Sequence, residues 1–155
     1  MEADVRLALA VNALEGVRSR EKILLSEVCD SIDRFTGLTK ENAEKILGRR
    51  IRTDRFRSDA AVRRADEICE SLTTGDFSCT LYWDREYPPQ LREIFDPPFI
   101  LFYRGRLPTW NVPAVAVVGT RYPTGSARSK AFGLGFDFAR RRIPVVSGLA
   151  LGVDS

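Results

Sequence analysis

The 155 residues carry 24 Lys and Arg against 21 Asp and Glu, with 44% hydrophobic residues, 29% charged residues and no histidine. That balance is globular rather than disordered, and no apolar run approaches the roughly 18 to 20 residues needed to cross a bilayer. Without imidazole, Ser-His-Asp and Cys-His catalysis and the mixed zinc sites are excluded within this chain. Cys29, Cys69 and Cys79 form an odd set without Cys-x-x-Cys spacing and read as reduced thiols. Met1-Glu2-Ala3-Asp4-Val5-Arg6 is acidic and lacks a signal-peptide pattern. The expectation is a cytoplasmic protein with no membrane span, metal, cofactor or catalytic apparatus.

Residues 1–75 read as several short helices. Val5, Leu7, Ala8, Leu9, Val11 and Leu14 form a broad apolar stripe that breaks at Gly16. Ser19 or Ser26 is placed to cap the next segment, and Thr39-Lys40-Glu41-Asn42 reads as a cap leading into an amphipathic helix through Ala43, Ile46 and Leu47. A longer helix is predicted from about Ser58 through Ala61, Val62, Ala65 and Ile68 to Leu72, stopped by Thr74-Gly75-Asp76. Two features here have a bland and a functional reading. The run Arg49, Arg50, Arg52, Arg55, Arg57 is interleaved with nearby acids and reads as a solvated face. Leu14-Glu15-Gly16-Val17 is similar to the turn of a helix-hairpin-helix, although a plain helix-turn accounts for so short a match.

Residues 76–111 read as a Pro-rich connector. Prolines 88, 89, 97, 98 and 108 are incompatible with helix interiors, and Phe99-Ile100-Leu101-Phe102-Tyr103 is a strand-like run expected to join the sheet as an outlying strand.

Residues 112–155 look like a β-α-β unit. An apolar run from Val112 to Val118 enters Gly119-Thr120-Arg121, a turn through Tyr122-Pro123-Thr124-Gly125-Ser126 opens a helix carrying Phe132, Leu134, Phe136 and Ala139, and Ile143 to Val146 enters Ser147-Gly148-Leu149-Ala150-Leu151-Gly152-Val153-Asp154. Ligands of open parallel sheets collect at the carboxyl ends of the strands. Glycines there let backbone N–H groups approach an anion, the helix N-terminus adds its dipole, and Arg121 adds a permanent charge. Thr120, Thr124 and Ser126 supply hydroxyls, with Ser126 expected as the helix cap, while Ser147, Gly148 and Gly152 extend the amide-lined groove from the second strand end. Arg140-Arg141-Arg142 closes the helix, where cations meet the negative end of its dipole.

Charge is unevenly divided. Residues 104–155 hold eight cations against two anions, a net +6, and the rest of the chain holds sixteen against nineteen, a net −3. A basic segment coinciding with Gly-rich strand ends points to a polyanion, nucleic acid more than a single nucleotide. Neither Gly-x-x-x-x-Gly-Lys-Ser/Thr nor a Gly-x-Gly-x-x-Gly after the first strand is present, which argues against a nucleoside triphosphatase and a dinucleotide dehydrogenase.

Tyr87-Pro88-Pro89-Gln90-Leu91, Asp96-Pro97-Pro98-Phe99-Ile100-Leu101-Phe102-Tyr103-Arg104-Gly105, Val115 through Arg121, and Ser147 through Asp154 together resemble the DNA-processing protein A family, also called DprA or Smf. The resemblance implies a small N-terminal helical domain followed by a Rossmann-like domain, an α/β fold of which this chain would hold only the first β-α-β part of the parallel sheet, stopping at Ser155 where a second helix is due. It also implies binding of single-stranded DNA, assistance in loading a RecA-type recombinase during natural transformation, and self-association in the full-length family. By motif position, Gly119, Thr120, Arg121, Ser147, Gly148 and Gly152 would line the pocket that grips DNA phosphates. Leu151 departs from the pattern, since the family often has Arg or another polar residue there. Two other readings stand beside this one: a fragment of a Rossmann-like nucleotide or phosphoribosyl-processing enzyme, for which only Asp154 offers a carboxylate in the motif region, and a truncated, inactive relic.

Overall fold

The computed structural model describes residues 5–75 and 77–155. The sequence readings at Met1-Glu2-Ala3-Asp4 and at Asp76 lie outside the described residues. The chain forms two compact units that meet between Leu107 and Pro108.

The first unit is led by α1 (Val5–Asn12), α2 (Ser19–Val28), α3 (Ile32–Thr36), α4 (Lys40–Leu47) and α5 (Ser58–Thr74). In α1 the five consecutive residues Leu7 to Val11 are all buried, so this helix is the unit's central rod. Its main partner is α5, which turns Ala61 and Ala65 inward. Small residues on one helix let the larger side chains of the other approach closely. Phe35 of α3, Leu25 of α2 and Ala43 of α4 are fully enclosed and close the core from the remaining sides. Ser58, the first residue of α5 and itself buried, donates its hydroxyl to Thr36 O at 2.9 Å and so ties α5 to the end of α3.

The caps follow the sequence at some ends and not at others. Thr39 caps α4 as expected, its Oγ1 accepting from Asn42 N–H at 3.2 Å. Neither Ser19 nor Ser26 caps α2. Arg18 holds the cap position in extended backbone, and its N–H donates to the side chain of Glu21, three residues on, at 2.8 Å. Once that carboxylate reaches back, Ser19 becomes the first helical residue. Ser26 lies inside the helix and donates its hydroxyl to Ile23 O at 2.6 Å.

The proline-rich stretch is ordered into this same unit through β1 (Ser78–Leu81), α6 (Pro89–Arg92) and β2 (Ile100–Tyr103). β1 and β2 pair antiparallel with Ser78 opposite Tyr103 and Leu81 opposite Ile100. The expectation that Phe99–Tyr103 forms an outlying strand of the parallel sheet is therefore corrected, because the two sheets are separate. The cause is burial where the strand begins. Leu81, Phe99 and Ile100 belong to the helical core while Phe102 faces outward, so burial selects β1 as the strand's partner. Between the strands the Tyr87 hydroxyl donates to Pro98 O at 2.6 Å, Trp83 meets Phe99 edge to face at 5.4 Å, and the Arg92 guanidinium donates to Tyr82 O at 2.8 Å and to Asp84 O.

The second unit is a β-α-β crossover of β3 (Val115–Ala116), α7 (Gly125–Arg140) and β4 (Val145–Val146). The strands are parallel, pairing Val115 with Val145 and Ala116 with Val146. Bonds from Val115 N–H to Pro144 O and from Val117 N–H to Val146 O, both 2.9 Å, extend the pairing. The chain is thus an α/β protein with helices first and a parallel Rossmann-like pair second. No residue of Pro108–Ser155 is buried. Among the described residues no helix is long and apolar enough to cross a membrane.

Candidate functional site

Both strands of the second unit run out into loops at the same edge, and the two loops are knitted to each other. After β3, the Gly119 N–H donates to Asp154 Oδ1 at 2.9 Å. After β4, the Ser147 hydroxyl donates to Asp154 O at 2.8 Å and accepts from Leu149 N–H at 3.2 Å. Val153 N–H donates to Thr120 O at 3.2 Å, so this bond and that from Gly119 to Asp154 join two segments more than thirty residues apart.

Glycine makes this crossing possible. A Cβ on Gly119 would stand 2.6 Å from Val153 Cβ, and one on Gly152 would stand 2.2 Å from Thr120 O. Both distances are far inside van der Waals contact. Gly152 also has φ of 107°, which side chains other than hydrogen rarely adopt. Gly148 is less constrained, since an added Cβ would meet Asp154 Oδ2 at 3.3 Å.

Five of the eight expected site residues, Gly119, Thr120, Ser147, Gly148 and Gly152, therefore come together at one loop crossing. Their immediate work is to hold the crossing. The Gly119 amide is already taken by a carboxylate of the same chain, and the Ser147 hydroxyl is turned into its own loop. The other three stand around the start of α7. Thr124 is the helix cap, its Oγ1 accepting from Ala127 N–H at 3.2 Å. Ser126 is not the cap expected from sequence. Thr124 keeps the extended backbone a cap needs and lies three residues before the amide it bonds, whereas Ser126 is already helical and exposed. Arg121 is exposed and has no carboxylate partner among the described residues.

Two residues take roles here that the sequence did not show. Asp154 fastens β3 to the loop after β4. From sequence it stood only as the one carboxylate of the motif region, and its bond to the Gly119 amide gives it a structural role. Tyr122 is 92% exposed, directly after Arg121. An exposed aromatic ring beside a guanidinium is suited to stacking on a nucleobase while the cation meets a phosphate. The adjacent Arg-Tyr pair was the available signal.

A groove of about 760 Å³ runs along α7 to the loop crossing, where Ser147, Gly152 and Asp154 line it. Its walls are mainly apolar, including Ala131, Phe132, Phe136, Ile143 and Val145, with Arg128 and Asp154 as its charged groups. Arg121 does not line it. Arg121, the Thr120 hydroxyl and the positive end of the 16-residue α7 lie together in sequence between Thr120 and the first turn of that helix. The Thr120 hydroxyl accepts from Tyr122 N–H at 3.2 Å, which sets the turn carrying Arg121.

Known proteins match this chain over both units. The family model for DNA recombination-mediator protein A matches residues 78–155. Protein Smf of Synechocystis sp. is 30% identical over 154 residues, covering 97% of this chain and 34% of that protein. The DNA processing protein DprA of Streptococcus pneumoniae is 39% identical over 69 residues, covering 44% of this chain and 24% of that protein. The X-ray structure of DNA processing protein A from Streptococcus pneumoniae superposes with a TM-score of 0.56 at 26% identity, covering 96% of this chain and 49% of that one. The chain thus spans about a third of the length of the Smf relative and about half of the solved DprA chain.

Proposed function

Because the chain belongs to the DNA recombination-mediator protein A family, we propose that it binds single-stranded DNA through backbone phosphates at the β3–α7 edge, without a cofactor and without covalent chemistry. In this reading it helps a RecA-type recombinase load onto the strand during DNA uptake, and it self-associates as part of that task. The observation that carries the proposal is Arg121, an exposed guanidinium with no carboxylate partner among the described residues, lying in sequence between Thr120 and the N-terminus of α7.

A phosphodiester at this edge would receive a bidentate contact from the guanidinium and face the helix dipole. Tyr122 would give an adjacent base a stacking surface, which is tolerant of sequence because every base has a π face. The Gly119–Asp154 lock supports this by fixing the turn from which Arg121 projects. The same lock argues against the nucleotide-enzyme reading, since the one carboxylate of the motif region is engaged with a backbone amide.

Fluorescence anisotropy of the protein with labelled oligo-dT at two salt concentrations tests the proposal. Binding is expected to weaken steeply with salt, since each phosphate contact on a single strand contributes a slope of roughly 0.7 in log K against log salt. Arg121→Ala should lower affinity several-fold and flatten that slope by about one contact. Salt-insensitive binding, or an Arg121→Ala variant that binds like the parent, would count against this site.

A further inference from the structure

We infer that the helical unit carries a second nucleic-acid backbone site, formed by Arg18, Arg50 and Arg52 around a concavity between the α1–α2 turn and the segment after α4. The choice of DNA as its ligand rests on the function proposed above, whereas the site itself is independent of the strand-end residues.

The concavity measures about 630 Å³ and is lined by Gly16, Val17, Arg18, Arg49, Arg50 and Arg52. No carboxylate lines it. Elsewhere in the unit Arg6 faces Asp66, Arg34 faces Asp30, Arg57 and Arg63 share Asp59, and Arg64 faces Glu67. The run Arg49 to Arg57, taken from sequence as a uniformly solvated face, is split by the structure into two kinds of arginine. Arg49, Arg55 and Arg57 are matched to Glu21, Glu15 and Asp59. Arg50 and Arg52 are exposed and have no acidic partner among the described residues, whereas Arg18, also exposed, has its charge acting on Glu21, whose carboxylate accepts its backbone N–H at 2.8 Å.

Their placement is built into the fold. Ile51 is buried, with its N–H donating to Glu44 Oε1 at 2.7 Å. With Ile51 anchored, its neighbours Arg50 and Arg52 are both left at the surface. The facing wall is fixed by Gly16, whose φ is 77° and where a Cβ would stand 2.7 Å from Thr53 Cγ2 and 2.9 Å from Ile51 Cγ2. Arg49 holds the two walls together. It donates to Gly16 O at 3.0 Å and to Arg50 O at 2.9 Å while its guanidinium pairs with Glu21. That pairing holds the Glu21 carboxyl below its usual range.

Arg49 is therefore a positioning residue, Arg50 and Arg52 are the unpaired charges, and Arg18 adds a third guanidinium at the rim of the recess. Three planar guanidinium groups around one recess suit a ligand that presents successive phosphates, as a DNA strand does.

The test is the same anisotropy titration with labelled oligo-dT, using Arg50→Ala/Arg52→Ala, Arg18→Ala and Arg121→Ala, with Arg64→Ala as a control whose charge is already paired. The double variant is expected to bind about tenfold more weakly and to lose about 1.4 from the salt slope, two contacts at roughly 0.7 each. Arg18→Ala should lose about one contact and Arg64→Ala should match the parent. If the Arg50/Arg52 variant weakens binding while Arg121→Ala does not, the strand-end reading fails and this site stands. A double variant that binds like the parent overturns this site whatever Arg121→Ala does. A parent protein that does not bind at low salt overturns both.

Discussion

The two units of this chain are held together by different physics. The helical unit encloses Leu9, Val11, Leu25 and Phe35 completely, so apolar burial on several sides of α1 is its main source of stability. In the β-α-β unit no residue is buried, and Phe132 is 78% exposed, Val118 75% and Val146 59%. A parallel strand pair with one helix has no second layer to cover its remaining faces. What defines its shape instead is the loop crossing, where Asp154 accepts the Gly119 amide, Thr120 accepts the Val153 amide, and Gly152 lies against Thr120. A site can thus be defined locally by hydrogen bonds and steric fit without a core beneath it.

The largest effect that would test this contrast belongs to the helical unit. Phe35→Ala removes a fully enclosed ring at the junction of α3 with α1 and α5, and is expected to cost about 3–5 kcal/mol. Denaturant unfolding followed by far-UV circular dichroism measures it. A loss below about 1 kcal/mol would mean that the packing around α1 closes over the gap, and the proposed division between a core-stabilised and a loop-stabilised unit would weaken.

The next effect belongs to the crossing. Gly152→Ala combines an unfavourable φ of 107° with a Cβ that would lie 2.2 Å from Thr120 O. The backbone must shift, at a cost of about 1–3 kcal/mol, and the shift should separate the two strand-end loops. Faster hydrogen exchange at the Gly119 and Val153 amides, with protection in α1 and α5 unchanged, is the expected signature. Unchanged exchange at Gly119 would show that the Asp154 bond does not depend on the close approach of Gly152.

The sequence was most informative where structure depends on neighbours along the chain. The cap at Thr39, the body of α5, the helix closing at Arg140 and the β-α-β order all follow from periodicity and local chemistry. The α2 cap was misplaced because Glu21 reaches back to the Arg18 N–H and no hydroxyl takes the cap, and the α7 cap because Thr124 and Ser126 both lie near the helix start and only Thr124 is extended. β1 went unseen because Ser-Cys-Thr-Leu is short and bears no apolar run, and its pairing with β2 depends on a core that neither strand encodes alone. At the candidate site, the glycine-rich strand ends were legible and the Gly119–Asp154 bond was not, since its partners are 35 residues apart. The division of Arg49 to Arg57 into paired and unpaired cations has the same origin, because Glu15 and Glu21 reach that run only through folding.

The smallest expected effect is the most direct probe of the uncovered unit. Phe132 projects from α7 into the apolar groove wall while remaining mostly exposed, so replacing it with Ser removes little buried surface. The change in unfolding free energy should stay within about 0.5 kcal/mol, as for an ordinary surface position. Exposed apolar area does lower solubility and favours association, so Phe132→Ser should bind less of a hydrophobic dye and stay monomeric to higher concentration in light scattering. A stability loss approaching that of Phe35→Ala would show that Phe132 is covered in solution, and the groove along α7 would then have to be counted as core.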